Sequence, residues 1–187
     1  QLNLPKQIVI MGVSGSGKSS IGTILARETG VQFIDGDDLH PQANKDKMAA
    51  GTPLNDEDRW PWLDLVGLSL QMPGGAIVAC SALKVAYRDR IRELAPEVAF
   101  VHLTGSAELL SSRLGGRKDH FMPASLLQSQ LDTLQPLQPQ ERGIIAEVGG
   151  SELEILLDVI NKLQAISNTN QICSIWVNAM GQWNPQN

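Results

Sequence analysis

Residues 12–19 read GVSGSGKS, directly after the apolar, β-branched run QIVIM at 7–11 and directly before a stretch with helical spacing. Few local patterns restrict a chain so strongly. The run at 7–11 reads as a strand buried on both faces, as in parallel sheets covered by helices. Glycines at 12, 15 and 17 open backbone conformations closed to other residues, so the N–H groups can turn inward around an anion. A helix predicted over 18–29 brings its positive N-terminal end to the same place. The pattern matches GxxxxGK[ST], in which the lysine reaches the β- and γ-phosphates of a nucleoside triphosphate such as ATP and the hydroxyl ligates Mg²⁺. Gly12, Val13, Ser14, Gly15, Ser16, Gly17, Lys18 and Ser19 therefore form the candidate nucleotide site. Lys18 also joins the catalytic set, and Ser19 is a candidate metal ligand. A simple glycine turn between strand and helix is the competing reading.

The rest of the chain repeats the strand-then-helix grammar. Apolar runs at 31–34, 76–80, 98–103 and, more weakly, 143–148 read as strands. Helical spacing is predicted over 41–50, 56–72, 84–94, 107–114, 123–134 and 152–166. Strands alternating with helices imply βαβ units: an α/β three-layer sandwich around a five-stranded parallel sheet. A length of 187 residues suits one domain, expected over 1–166. The remainder, 167–187, is rich in Asn and Gln with isolated Trp176 and Trp183, and is expected to be a flexible or peripherally packed tail.

Composition excludes some functions. A formal charge of −5 argues against sequence-independent nucleic-acid binding, which runs on Lys and Arg contacts to phosphate. No apolar stretch approaches the ~20 residues of a membrane span, and the polar start before residue 7 does not resemble a signal peptide. The expected location is cytoplasmic. The two cysteines, Cys80 and Cys173, lack zinc-site spacing, and Cys80 in an apolar run reads as a buried thiol.

Asp35, Asp37 and Asp38 follow the second strand directly. Ligands of open parallel sheets bind beyond the carboxyl ends of the strands. Carboxylates there hold Mg²⁺ or accept a proton from an attacking hydroxyl. Asp35 is the candidate metal ligand, and Asp37 the candidate general base. The competing reading is that these residues cap the next helix.

Further segments carry a resemblance: GDDLHP at 36–41, Asn44, Lys47 and Met48, PLNDEDRWPWL at 53–63, CSALKVAYRD at 80–89, and HFMP at 120–123 with Leu127, Gln130, Leu134 and Pro136. Together they resemble the gluconokinase family, over about residues 8–163. The resemblance implies ATP-dependent phosphorylation of D-gluconate to 6-phospho-D-gluconate. It also implies a P-loop kinase fold of the nucleoside-monophosphate-kinase type with a mobile lid at about 113–123, and a homodimer.

The residues agree with a small polyol acid, whose site needs a cation for the carboxylate and several hydrogen-bonding groups. His40, Lys47, Arg59, Ser81, Lys84 and Arg88 are the candidates near strand ends and in the segment after the second strand. A structural hydrogen bond is the alternative for His40. An ordinary ion pair, Arg59 with Asp56 for example, is the alternative for the cations. Tyr87 and Trp62 read as packing residues. In the lid, Arg113 is the candidate nucleotide contact, Arg117 the cation for charge on the transferring phosphoryl, and His120 a further substrate contact. Gly115, Gly116, Asp119 and Gln135 depart from the family pattern. A kinase of another small acid, such as shikimate, and a nucleotide-binding module without transfer chemistry are the competing functions.

Overall fold

The structure, a computed structural model, describes residues 2–115 and 124–181. Five strands form one parallel sheet: β1 (Gln7–Met11), β2 (Gln32–Asp35), β3 (Ala76–Ala79), β4 (Ala99–Thr104) and β5 (Gly143–Glu147), in the order β2-β3-β1-β4-β5. β1 lies at the centre, with Ile8 opposite Ile77 on one side and Ala99 on the other. The expected fold class holds.

Period-two alternation distributes the strand side chains between two cores. Ile8, Ile10, Ile77, Val101 and Leu103 face α1 (Lys18–Thr29) and α7 (Glu152–Gly181), meeting Ile21, Leu25, Val159 and Leu163. Val9, Met11, Val78 and Phe100 face α3 (Asp56–Leu70) and α4 (Val85–Leu94), meeting Trp62, Leu63, Val66 and Ile91. Both faces of the sheet are thus covered, which is why its strands read as unbroken apolar runs.

The remaining helices are α2 (Gln42–Ala49), α5 (Ala107–Gly115) and α6 (Ala124–Thr133). Helix α3 starts at a capping box: Asn55 Oδ1 accepts from Asp58 N at 2.9 Å, and Asp58 Oδ2 accepts from Asn55 N at 3.0 Å. Two features differ from the sequence reading. Residues Gly36–Leu39 form a 3₁₀ turn directly after β2. The last helix does not stop at residue 166 but continues to Gly181. Between residues 151 and 180 there is neither Gly nor Pro to break it. Among the described residues, no helix is long and apolar enough to cross a membrane.

Candidate active site

The loop after β1 lies at the centre of the carboxyl edge of the sheet. Its start is tied to β3, with Gly12 N donating to Ser81 O at 3.2 Å and Cys80 N to Ile10 O at 3.0 Å. Gly12 has φ 146°, and a Cβ there would fall 2.6 Å from Leu103 O. Only glycine fits that approach. Gly15 and Gly17 also take positive φ, and Gly17 leads into α1. Lys18 Nζ folds back on the loop and donates to Val13 O at 3.2 Å. The Ser16 hydroxyl is buried and finds no partner among the described residues. Ser19 is exposed at the start of α1.

Beside the loop lies a cleft of about 280 Å³ lined by Gly15, Gly17, Ser20, Arg113, Glu152 and Ile155, among others. Arg113 Nη2 donates to Val148 O, and Nη1 lies 3.8 Å from the Cβ position of Gly17. Ser20 Oγ donates to Glu152 Oε2 at 2.5 Å. Arg113 thus lies on the wall of this cleft, next to the phosphate loop.

At the end of β2, Asp35 Oδ1 accepts from Asp37 N at 3.0 Å and caps the 3₁₀ turn. The capping alternative therefore falls on Asp35 itself, and only its other oxygen remains for a metal. Asp37 and Asp38 are exposed. The turn is fixed from below: Trp62 Nε1 donates to Gly36 O at 2.7 Å. Trp62 in turn stacks on His40, with ring centroids 4.2 Å apart and planes at 15°.

His40 is buried, and Asn44 Nδ2 donates to its Nδ1 at 3.2 Å and to Asp58 O at 2.8 Å. The amide spends both hydrogens, so Nδ1 is the acceptor of a neutral ring. Burial lowers the His40 pKa, against the nearby charge of Asp37 and with those of Lys45 and Arg59. Lys47 Nζ holds Asp58 at 2.7 and 2.9 Å. Its hydrogen bond lowers the Asp58 pKa, as does the Asn55 N–H.

A second cluster forms around Asp56. Tyr87 Oη donates to Asp56 Oδ1 at 2.5 Å and Arg59 Nη1 to the same oxygen at 3.3 Å, while Lys84 Nζ lies 3.8 Å from Oδ2. Both cations sit over the Tyr87 ring, Arg59 at 5.7 Å and Lys84 at 5.4 Å. The Tyr87 hydroxyl is pushed up to about 12 by burial and by Asp56, so it stays a donor at neutral pH. One carboxylate between two half-exposed cations leaves a local surplus of positive charge.

Arg88 requires a correction. It is completely buried and cannot reach a substrate. Nε donates to Glu141 Oε1 at 2.8 Å, and Nη2 to Glu141 Oε2 at 3.0 Å. Nη1 donates to Ala82 O at 2.8 Å, and Nη2 also to Gln135 O and Pro136 O. Arg88 therefore ties the β3–α4 loop to the segment after α6. Ala82 in that loop takes a left-handed φ of 44°, a strained conformation for a residue with a Cβ, and the Arg88 contact helps to hold it. The same loop carries Ser81 and Lys84. Arg117 and His120 lie outside the described residues.

The Arg59–Asp56 ion pair named as the alternative is present; sequence reading missed that Asp56 also collects Tyr87 and Lys84, that Glu141 is the partner of Arg88, and that Gln130 of α6 contacts the phosphate loop. Gln130 reaches the phosphate loop, its Oε1 accepting from Ser14 N at 2.8 Å. One signal was available for it: Gln130 interrupts an apolar stripe.

Comparison with known proteins agrees with this geometry. The family model described as "AAA domain" matches residues 8–137. "Thermosensitive gluconokinase" of Escherichia coli K12 is 40% identical over 174 residues, covering 90% of this chain and 92% of that one. The chain belongs to the gluconokinase family. A "Probable gluconokinase" of Xenopus tropicalis is 47% identical over 160 residues, covering 75% of this chain and 84% of that one. The crystal structure of a gluconokinase from Sinorhizobium meliloti 1021 superposes with a TM-score of 0.85 at 45% identity, covering 91% of this chain and 98% of that one. The P-loop kinase fold and the gluconokinase signature thus coincide in one chain.

Proposed function

We infer that the chain transfers the γ-phosphoryl group of ATP to the terminal hydroxyl of D-gluconate, giving 6-phospho-D-gluconate and ADP. The observation that carries this is one sheet edge that unites a phosphate loop, a bare carboxylate at Asp37 and a surplus of positive charge around Asp56, in a member of the gluconokinase family.

Backbone N–H groups from Gly15 to Ser19 cradle the phosphates, and Lys18, seated by one of its three N–H bonds on Val13 O, directs the others to the β- and γ-phosphates. Arg113 meets the nucleotide in the adjoining cleft. Ser19 and the free oxygen of Asp35 are the candidate ligands for Mg²⁺, which takes few protein carboxylates and otherwise binds phosphate and water. When bound, Mg²⁺ screens charge on the phosphate oxygens. Arg59 and Lys84, released in part from Asp56, take the gluconate carboxylate. Ser81, His40 and Lys47 border the polyol chain.

Asp37 accepts the proton of the attacking hydroxyl as its oxygen bonds to the γ-phosphorus and the bond to the ADP oxygen breaks. Arg117 supplies the cation for charge on the transferring phosphoryl group, and His120 a further substrate contact. A homodimer acting in the cytoplasm completes the proposal. Leu65 and Leu68, exposed along α3, and Met72 just after it offer it an apolar contact face.

The test is gluconate-dependent ADP release by the purified chain with ATP and Mg²⁺. Asp37→Asn should lower kcat by about 10²- to 10⁴-fold, the usual worth of a general base, with ATP affinity unchanged. Near-normal turnover in that variant refutes the assignment of Asp37. No turnover of D-gluconate by the parent chain refutes the function.

A further inference from the structure

Helix α6 carries one polar side chain where its packing stripe calls for an apolar one. Leu127 is buried, and Leu131 and Leu134 pack on the core. Gln130 lies between them at helical spacing, half-buried on the same face. Both ends of its amide bond the phosphate loop. Oε1 accepts from Ser14 N at 2.8 Å, and Nε2 donates to Ser14 Oγ at 3.2 Å.

The peptide between Val13 and Ser14 is thereby held from both ends. Gln130 takes its N–H. Its carbonyl, Val13 O, accepts from Lys18 Nζ at 3.2 Å and from Ser16 N at 3.3 Å. A peptide unit is planar, so its N–H and C=O turn together, and a bond at one end polarises the other. The orientation that Gln130 imposes therefore sets where the Lys18 ammonium rests. Helix α6 is itself anchored, since Gln135 N donates to Leu83 O at 2.7 Å and Gln135 Oε1 accepts from Val85 N at 2.7 Å. Those contacts are with the β3–α4 loop, which carries Ser81 and Lys84.

We propose that Gln130 is a positioning residue for phosphoryl transfer: through the Val13–Ser14 peptide it fixes the seat of Lys18, and it registers the phosphate loop against the loop that carries Ser81 and Lys84. Bulk packing does not account for it, because leucine or methionine would fill the stripe better. The inference rests on ATP-dependent transfer to gluconate as the activity.

The test is Gln130→Met, which keeps the length and apolar fit of the side chain and removes both hydrogen bonds. Misplaced reacting groups cost up to a hundredfold, so kcat with gluconate should fall by about tenfold to a hundredfold. ADP affinity and the KM for gluconate should change less than about threefold, because the N–H groups from Gly15 to Ser19 and the acceptor site stay in place. The melting temperature should move by no more than about 8 °C, the shift of two modest hydrogen bonds at about 1 kcal/mol each. Gln130→Glu keeps an acceptor for the Ser14 N–H, and its kcat should stay within about fivefold of the parent while KM for ATP rises through charge repulsion. A Met variant with parental kcat overturns the proposal. So does a loss of kcat matched by equal losses of ADP affinity and melting temperature, which marks a structural role. A Glu variant as slow as the Met variant overturns the peptide-orientation argument. Failure of the parent chain to phosphorylate gluconate faults the activity itself, not the role of Gln130.

Discussion

Glu141→Gln should be one of the most destabilising isosteric changes in the molecule. The side chains of Arg88 and Glu141 are 0% and 2% exposed and meet through two hydrogen bonds, at 2.8 and 3.0 Å. Glu141 Oε2 also accepts from Gln138 N at 2.8 Å, and Arg92 Nη1 lies 2.9 Å from Oε1. Burial alone would raise the Glu141 pKa. The hydrogen bonds from Arg88 and Gln138 and the close Arg92 guanidinium overcome that and bring it from 4.5 down to about 2. At 1.36 kcal/mol per tenfold in proton affinity, that difference amounts to about 3 kcal/mol of stability at neutral pH. An independent route gives the same scale, since removing one partner of a buried pair costs about 3–5 kcal/mol.

The pH dependence follows from the sign. A depressed carboxyl pKa contributes its full stability above 4.5 and loses it as pH falls toward about 2. The assay is urea unfolding of the parent chain and Glu141→Gln at pH 7 and pH 3.5. The gap should be about 3 kcal/mol at pH 7, a drop in melting temperature of about 6–12 °C for a chain of this size. It should narrow by about 1.4 kcal/mol at pH 3.5, where the carboxyl is about nine-tenths protonated in the unfolded chain but still mostly ionised in the folded one. A gap below about 1 kcal/mol at pH 7 would refute the reasoning, as would one that does not narrow.

Two other outcomes are expected. Gly12→Ala places a Cβ 2.6 Å from Leu103 O at a φ of 146°. It should cost about 1–3 kcal/mol in strain and abolish thermal protection by ATP, both readable in one melting experiment; an undiminished ATP-induced shift contradicts the loop geometry. The pKa values of His40 and His102 both lie below 6.5, through burial in each case, with Arg88 adding to the effect at His102. Below 6.5 the unfolded chain therefore binds more protons at these positions, so stability rises with pH in that window. Urea midpoints should be lower at pH 5.5 than at pH 7.5, and the reverse order contradicts neutral, buried rings.

Every strand and nearly every helix boundary was legible from periodicity, because parallel strands covered on both faces read as apolar runs and each helix is punctuated by Gly, Pro or an Asx cap. The exception is α7, where fifteen residues past 166 form helix because nothing breaks it. The phosphate loop was legible for a different reason: its chemistry is carried by backbone geometry within eight consecutive residues.

Partnerships between distant residues were not legible. Arg88 looked like a substrate cation because a guanidinium after a strand end fits that role equally well. Its partner Glu141 lies 53 positions away, and no periodicity marks such a pair. The same limit applies to Asp56, which collects Tyr87 from 31 positions away, and to Gln130, 116 positions from Ser14.

The chain therefore announced its sheet, its phosphate loop and its family in local spacing, since those follow from backbone conformation and side-chain alternation within single elements. Folding decided which charges face a substrate and which are spent inside. Arg59 and Lys84 remain half-exposed around one carboxylate, whereas Arg88 is sealed against Glu141. The reason is solvation: a cation acts on a ligand only where burial and a nearby carboxylate have not already claimed it, and both depend on how remote segments pack.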